Sequence, residues 1–283
     1  MIVRKRPSML GLFFVLKGSV VQRIWPQVLA IIVISCVVVW AHKSLPWFHL
    51  QLDPGPFALI GVALSIFLSF RNGACYDRWW EARKFWGLMI QTARDLLRQS
   101  VVIEGTPERR RLLLAVVAYA RRAALQLRGR PEAESADAAL AEAEQVIAGL
   151  EREGRVTLSE ALVMRESLNR IASALLGCER LANTPVPFAY MLLLHRTAYI
   201  YCTILPFGFA DTLGWAAPLV SGLIAYTFFG LDALAEELEE PFSDQQNALP
   251  LTAYATAIEI ALRRGLGDTD LPEPAKAVNF VLR

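Results

Sequence analysis

The first apolar stretch of the chain sets the strongest limit on its fold. Between Arg23 and Lys43 lie 19 consecutive residues without a formal charge, most of them Val, Ile, Leu, Ala or Trp. A helix needs about 20 apolar residues to cross roughly 30 Å of hydrocarbon. Because a backbone in lipid must satisfy its own hydrogen bonds, the stretch is expected to be a membrane-spanning helix.

Three later stretches have the same character. Residues 54–70 give 17 uncharged positions, and residues 212–231 give 20. Residues 187–210 are apolar apart from His195 and Arg196. Hydrophobic residues make up 54% of the whole chain, which is more than in an ordinary soluble domain. The pattern therefore predicts four transmembrane helices.

The middle of the chain is polar and has helical rather than strand spacing. Thr106-Pro107 and Thr157, with Glu160 three positions on, are typical of helix starts. The Ala- and Glu-rich stretch 131–155 is expected to be an exposed excursion, and the last dozen residues a loose tail. The chain is thus predicted to be an all-α membrane protein, with four transmembrane helices and a helical domain in water.

The basic residues predict the orientation. The first 25 residues carry five basic groups and no acidic one, whereas the loop between the first two spans has only Lys43. The turn between the last two spans has no Lys or Arg. Since cytoplasmic loops carry the excess of basic residues, both termini and the central domain are expected to be cytoplasmic.

These signals divide the chain into cytoplasmic segments and spans. The second span is expected to continue without a break as a cytoplasmic helix to about residue 99. The predicted bounds are 1–23 for the N-terminal segment, 24–42, 54–72, 187–210 and 212–233 for the four spans, 100–186 for the cytoplasmic helical domain and 234–283 for the C-terminal segment.

Several classes of function are disfavoured by the composition. The net charge of +2 is too small for a nucleic-acid-binding protein. No phosphate-binding loop, zinc-protease motif or nucleophile elbow is present, so we expect neither an enzyme with catalytic residues nor a cofactor. The four cysteines form no CxxC pair and have no His at metal-ligand spacing, which predicts free thiols and no metal site.

The segment from Leu59 to Trp86 carries two stripes at helical spacing. One stripe consists mostly of bulky apolar residues and ends in an acidic residue: Leu59, Val62, Ile66, Phe70, Gly73 and Asp77. The other is small: Gly61, Ser65, Ser69 and Gly73. Small residues let membrane helices approach closely, and an apolar constriction gates a pore by dewetting. The bulky stripe suits either a pore lining or a face in contact with lipid or core, and spacing leaves both open.

Three motifs in this chain resemble the bacterial branch of the bestrophin family. The first is Phe70-Arg71-Asn72 followed by YDRWWEAR at 76–83, in which Arg78 stands eight residues after Phe70 as in the family. The second is CERLANTPVPFAY at 178–190, and the third is LAEELEEPF at 234–242. The resemblance covers nearly the whole chain in order and is weakest at about 100–155.

The resemblance implies a homopentamer in the bacterial inner membrane, with one ion pore on the five-fold axis. The second span lines the pore neck, at positions that match Val62, Ile66 and Phe70. A cytoplasmic aperture matches Leu181, with Thr184 or Val186 as rivals.

By analogy with the bacterial branch, the permeant ions are expected to be monovalent cations, Na⁺ or K⁺ rather than Cl⁻. A secondary transporter and a membrane-anchored scaffold are the alternative functions, although no internal repeat supports a transporter. In animal bestrophins a dense acidic cluster follows the Pro-Phe element. Here only Asp244 follows Pro241-Phe242 closely, so a solvated helix end is expected rather than a calcium site.

Overall fold

The computed structural model describes residues 1–4, 8, 11, 15, 18–45 and 54–282. Three of the five basic groups of the N-terminal segment, Lys5, Arg6 and Lys17, lie outside these ranges. The described residues form α-helices, with short 3-10 turns at Ser100–Ile103 and Gly214–Ala216. The helices are α1 (Val21–Ser44), α2 (Pro54–Gln99), α3 (Pro107–Leu127), α4 (Ala136–Arg152), α5 (Leu158–Asn183), α6 (Phe188–Leu213), α7 (Ala217–Glu239) and α8 (Leu251–Gly265). The all-α prediction is confirmed.

The chain forms two compact units. The first, called the large-core unit, comprises Met1–Lys5, Arg78–Thr184 and Glu240–Arg283. The second, called the span unit, comprises Arg6–Asp77 and Pro185–Glu239. Helix α2 contributes its first part to the span unit and the rest to the large-core unit.

The large-core unit encloses one continuous apolar core. The second part of α2 and helices α3, α4, α5 and α8 contribute to it, and Trp86 and Tyr119 are among its fully covered side chains. The Thr106 side chain accepts a bond from the Arg109 amide at the start of α3. Thr157 and Glu160 form a reciprocal capping box at the start of α5. Both helix starts lie where the sequence signals predict them.

Two expectations for this unit are wrong. The stretch 131–155 is not an exposed excursion, because its helix α4 buries an apolar face in the core. The C-terminal residues are not a loose tail either. The Val3 amide donates to the Phe280 carbonyl at 2.9 Å, and the Met1 ammonium donates to the Leu282 carbonyl at 2.7 Å. The two ends of the chain therefore lie side by side in the large-core unit.

Within the described residues, three helical stretches are long and apolar enough to cross a membrane. They are Val21–Ser44, Gly55–Ile103 and Phe188–Glu239. The third stretch contains two α-helices, α6 and α7, which meet at a turn where Gly214 adopts a positive φ of 51°. A side chain at this position would be strained, so glycine suits the turn.

Polar contacts mark two ends of the span unit. At one end the Arg23 guanidinium of α1 pairs with Glu236 of α7. At the other end His42 Nε2 lies 3.4 Å from Asp211 Oδ1. Nineteen helical positions separate Arg23 from His42, which is about 28 Å at 1.5 Å per residue. This separation matches the roughly 30 Å thickness of a hydrocarbon layer.

Candidate functional site

The span part of α2 has a narrow buried face and a broad uncovered one. Leu64 and Leu68 are buried in the core of the span unit. On another side of the helix, Val62, Ile66 and Phe70 are 61, 49 and 66% exposed. All three residues of the expected neck therefore belong to one apolar stripe that its own subunit leaves uncovered.

Two tyrosines of α6 contact α2 and fix its position. A Cβ at Gly61 would lie 2.5 Å from the Tyr201 hydroxyl, so a larger residue here would require the Tyr201 side chain to shift. Two turns further along, the Tyr190 hydroxyl donates to the Phe67 carbonyl at 3.3 Å. These contacts hold α2 so that the neck stripe faces away from α6.

The small stripe has two kinds of neighbour. Gly61 packs on Tyr201 inside the subunit, whereas Ser65, Ser69 and Gly73 are exposed. A Cβ at Gly73 would meet nothing within 4 Å. Small exposed residues at four-residue spacing beside an apolar stripe offer a surface on which another helix can pack closely.

Leu181, the residue expected at the cytoplasmic aperture, is buried. Its side chain is 5% exposed and belongs to the core of the large-core unit. Its carbonyl accepts a bond from Arg78 Nη2 at 2.7 Å, and Arg78 Nη1 donates to the Thr184 carbonyl at the same distance. The rival positions differ from it, since Thr184 is exposed and Val186 is half-buried.

The residues after Asp77 have structural contacts rather than the arrangement of a ligand site. Trp79 Nε1 donates to the Asn247 carbonyl at 3.0 Å. The Glu81 carboxylate accepts a bond from Arg180 at 2.7 Å. Together with the bonds of Arg78, these contacts fasten α2 to α5 and to the segment before α8 within the large-core unit. Arginine and tryptophan here hold helices together, which explains the sequence element without a bound ligand.

The acidic residues after α7 are also engaged by bases. Asp244 lies 3.3 Å from Arg128 Nη1 and pairs with Arg130 as well. Among the described residues there is no group of three or more His, Cys, Asp or Glu side chains arranged to hold a metal ion. The carboxylate that follows Pro241-Phe242 is thus neutralised by two guanidinium groups.

A buried charged group within the span unit was not expected from the sequence. Arg71, the residue after Phe70, is 1% exposed and pairs with Asp232 of α7. His195 Nδ1 of α6 lies 2.7 Å from the other oxygen of the same carboxylate. The sequence shows His195 in apolar surroundings, but it does not indicate a partner, because 37 residues separate His195 from Asp232.

Comparison with known proteins decides the family. A family model described as bacterial/fungal bestrophin protein matches residues 1–145 and 132–264. The chain belongs to the bacterial/fungal bestrophin family. A crystal structure of a bacterial bestrophin homologue from Klebsiella pneumoniae matches this bestrophin with a TM-score of 0.82 at 35% identity. The match covers 87% of this chain and 99% of that one.

Similar proteins are named for channel formation. A voltage-dependent anion channel-forming protein of Mesorhizobium japonicum is 43% identical over 290 residues, which is 95% of this bestrophin and 93% of the relative. The voltage-dependent anion channel-forming protein YneE of Escherichia coli is 37% identical, with 96% of each chain covered. These relatives are named as channels and not as enzymes.

The expectation that Na⁺ or K⁺ carries the current is wrong by this comparison. The names of these relatives describe anion channels, as does that of the Ralstonia nicotianae relative, which is 32% identical over the full length of both chains. The physical reason lies in the neck stripe. Val62, Ile66 and Phe70 carry no charge, so their pattern gave no information about the sign of the permeant ion.

Proposed function

We propose that this bestrophin is an anion channel of the bacterial inner membrane, in which five copies surround one axial pore. The observation that carries the proposal is the uncovered apolar stripe of α2. In the most apolar 18-residue window of the stretch that contains α2, 17% of the residues are buried, against 28% and 50% in the other two. A helix so poorly covered by its own subunit is suited to line a shared axis.

The small residues beside the stripe favour a pore over a lipid-facing surface. Lipid accommodates any apolar side chain, so a lipid face has no need of Ser65, Ser69 and Gly73 in register. A neighbouring copy of α2 does need them, because close helix approach requires small side chains. Symmetric copies of one chain usually form closed rings, and a ring places the same face of each α2 toward the axis.

The chain segments that form the large-core unit support four spans per subunit. The chain leaves that unit after Met1–Lys5 and returns at Arg78, then leaves after Thr184 and returns at Glu240. Since a unit that folds in one compartment lies on one side of the membrane, each excursion crosses an even number of times. Helices α1 and α2 serve the first excursion, and α6 and α7 the second. With the basic N-terminal segment, this favours both termini in the cytoplasm.

The neck is proposed to consist of rings of Val62, Ile66 and Phe70 side chains. Five copies of each residue meet around the axis and leave no polar group to replace the water around an ion. Transfer of an unpaired charge into apolar surroundings is costly, so the rings form the main barrier when the neck is narrow. For the cytoplasmic aperture we propose Thr184 and Val186 in place of the buried Leu181.

Electrical recording tests the proposal directly. The purified protein in a planar bilayer with a KCl gradient should give discrete openings whose reversal potential is displaced toward the chloride equilibrium potential. Native mass measurement in mild detergent should give five copies. Displacement toward the potassium potential contradicts the anion channel. Slow uptake without discrete openings indicates a transporter, and pentamers that never pass ions indicate a scaffold.

A further inference from the structure

A buried ion pair lies directly behind the proposed neck. Arg71 follows Phe70 in α2, and its side chain is 1% exposed. It pairs with Asp232 of α7, whose side chain is 8% exposed, and a second acid of α7, Glu239, lies 3.9 Å away. Buried guanidinium groups at the edge of the membrane are costly and therefore rare unless a function retains them.

The next residue of α2 reinforces the same attachment. Asn72 Nδ2 donates to the Leu231 carbonyl at 3.1 Å, and Leu231 precedes Asp232. Two consecutive residues of α2 thus bind two consecutive residues of α7. Such a paired contact fixes the axial register of the helices and also the rotation of α2 about its own axis.

A third helix joins at the same carboxylate. His195 Nδ1 of α6 donates to Asp232 Oδ2 at 2.7 Å, while Arg71 occupies Oδ1. The ring of Tyr199, one turn along α6, lies 4.4 Å from the imidazole ring. Asp232 therefore connects α2 and α6 through α7, at the level of the span unit where Phe70 ends the apolar stripe.

Burial makes this connection selective for one geometry. A small rotation of α2 would separate Arg71 from Asp232 and leave both charges in poorly hydrated surroundings, where an unpaired charge is strongly unfavourable. Since Phe70 is adjacent to Arg71, the rotation that keeps the pair together also sets the direction of the Phe70 ring.

We propose that Arg71 and Asp232, with His195 as the third member, are positioning residues that orient Phe70 into the pore. The proposal rests on the proposed function, because it assumes that the α2 stripe lines the pore. The three side chains do not contact the ion. They act through α2, and their loss should alter the neck of a channel that is still assembled.

The test compares variants of the full chain as pentamers in planar bilayers. Asp232→Asn should raise the unitary conductance by about two- to thirtyfold, the span of effects typical of changes that act on a site through its supports. It should also admit larger anions. Arg23→Gln is the matched control, because it breaks an exposed ion pair at the same end of the span unit. The control should conduct like the unaltered protein.

Three further variants separate positioning from general stability. Asp232→Glu keeps a carboxylate for both Arg71 and His195 and should keep the original conductance and anion size limit. His195→Asn keeps a donor near the position of Nδ1 and should conduct normally, whereas His195→Ala should not. A purely stabilising role would change the yield of pentamers and leave the conductance of each pentamer unaltered.

The outcomes distinguish this proposal from the proposed function. If the unaltered protein carries no anion current, the proposed function fails. If it conducts and Asp232→Asn pentamers conduct identically, the positioning role is wrong. Should Asp232→Asn not assemble, His195→Ala and Asp232→Glu decide. Normal conductance in His195→Ala, or an altered conductance in folded Asp232→Glu pentamers, overturns the proposal.

Discussion

Leu168 and Leu68 are both fully covered by their neighbours, yet the two units around them are built differently. Leu168 belongs to a continuous core to which five helical segments contribute, and partly exposed pairs of Arg with Glu lie around this core. Leu68 belongs to a narrow buried strip, and most of the apolar side chains around it are exposed. The large-core unit completes its core alone, whereas the span unit leaves much of its apolar surface uncovered.

The difference shows what each unit relies on for stability. In water, burial of apolar surface drives folding of the large-core unit. In lipid that force is absent between helices, because lipid tails are as apolar as leucine, and packing and polar contacts remain. The span unit accordingly depends on a few close contacts, such as Gly61 against Tyr201, and on the Arg71–Asp232 pair.

Matched leucine truncations give the largest expected effect. Leu168→Ala should cost the large-core unit about 2–5 kcal/mol, the usual range for a buried leucine. Leu68→Ala should cost less than Leu168→Ala by roughly 1.5–3 kcal/mol. This difference is the free energy of transferring a leucine side chain out of water, which is absent when the side chain is buried from lipid. Hydrogen exchange of α5 and α2 amides in nanodiscs measures both. Equal losses of stability in the two helices would contradict the proposed difference between the units.

The second effect concerns the uncovered stripe. Phe70→Ala or Ile66→Ala should raise the anion conductance by at least about tenfold, which corresponds to a barrier lowered by roughly 1.4 kcal/mol. Each substitution removes a whole ring from the proposed neck. Phe67→Ala is the control, since this residue is equally exposed but lies one helical step round from Ile66. A larger effect at Phe67 than at Ile66 and Phe70 would assign the pore to another face.

The third effect concerns charge at the end of the stripe. Asp77 is exposed and lies two turns after Phe70 on the same face. Five carboxylates there repel anions, so Asp77→Asn should raise chloride current about fivefold at low salt, given roughly 1 kcal/mol for one nearby charge in water. Asp77→Glu keeps the charge and should change little. An effect that persists in molar salt would not be electrostatic.

The smallest effect lies in the large-core unit. Arg155 donates two bonds to the Glu108 carboxylate, at 2.9 and 3.1 Å, and this lowers the pKa of Glu108 from 4.5 to about 2. A carboxyl group with a lowered folded-state pKa contributes stability that is present above pH 4.5 and is lost as the pH falls through about 2. Thermal unfolding of Glu108→Gln should lack this component between pH 2 and 4.5. The same pH profile in both proteins would show that the exposed pair contributes nothing.

Local patterns were sufficient for the helices and for the neck stripe. Spacing and apolar length act over a few turns, so the long helices, the capping signals and the grouping of Val62, Ile66 and Phe70 on one face could be predicted. Helix α4 was missed because its buried face is largely alanine, and alanine also suits an exposed helix. Whether the stripe lines a pore depends on other copies, which no single chain specifies.

Long-range contacts could not be predicted from the sequence. The Arg71–Asp232 pair joins positions 161 residues apart, and nothing in the local pattern of either residue indicates the other. Leu181 had the expected position in its motif, but burial depends on how α5 packs in the core. The sign of the permeant ion could not be predicted for a different reason, since the residues of the expected neck carry no charge that would indicate it.

The polar contacts at the two ends of the span unit have a consequence for the choice of membrane. The distance from Arg23 to His42 is set by one continuous helix, so the apolar length of α1 itself cannot adjust to its surroundings. In a bilayer with longer acyl chains, either the lipid must thin around the protein or the helices must tilt less, at a fraction of a kcal/mol per ångström. Lipid chain length thereby becomes a variable that acts on the bundle without any binding site.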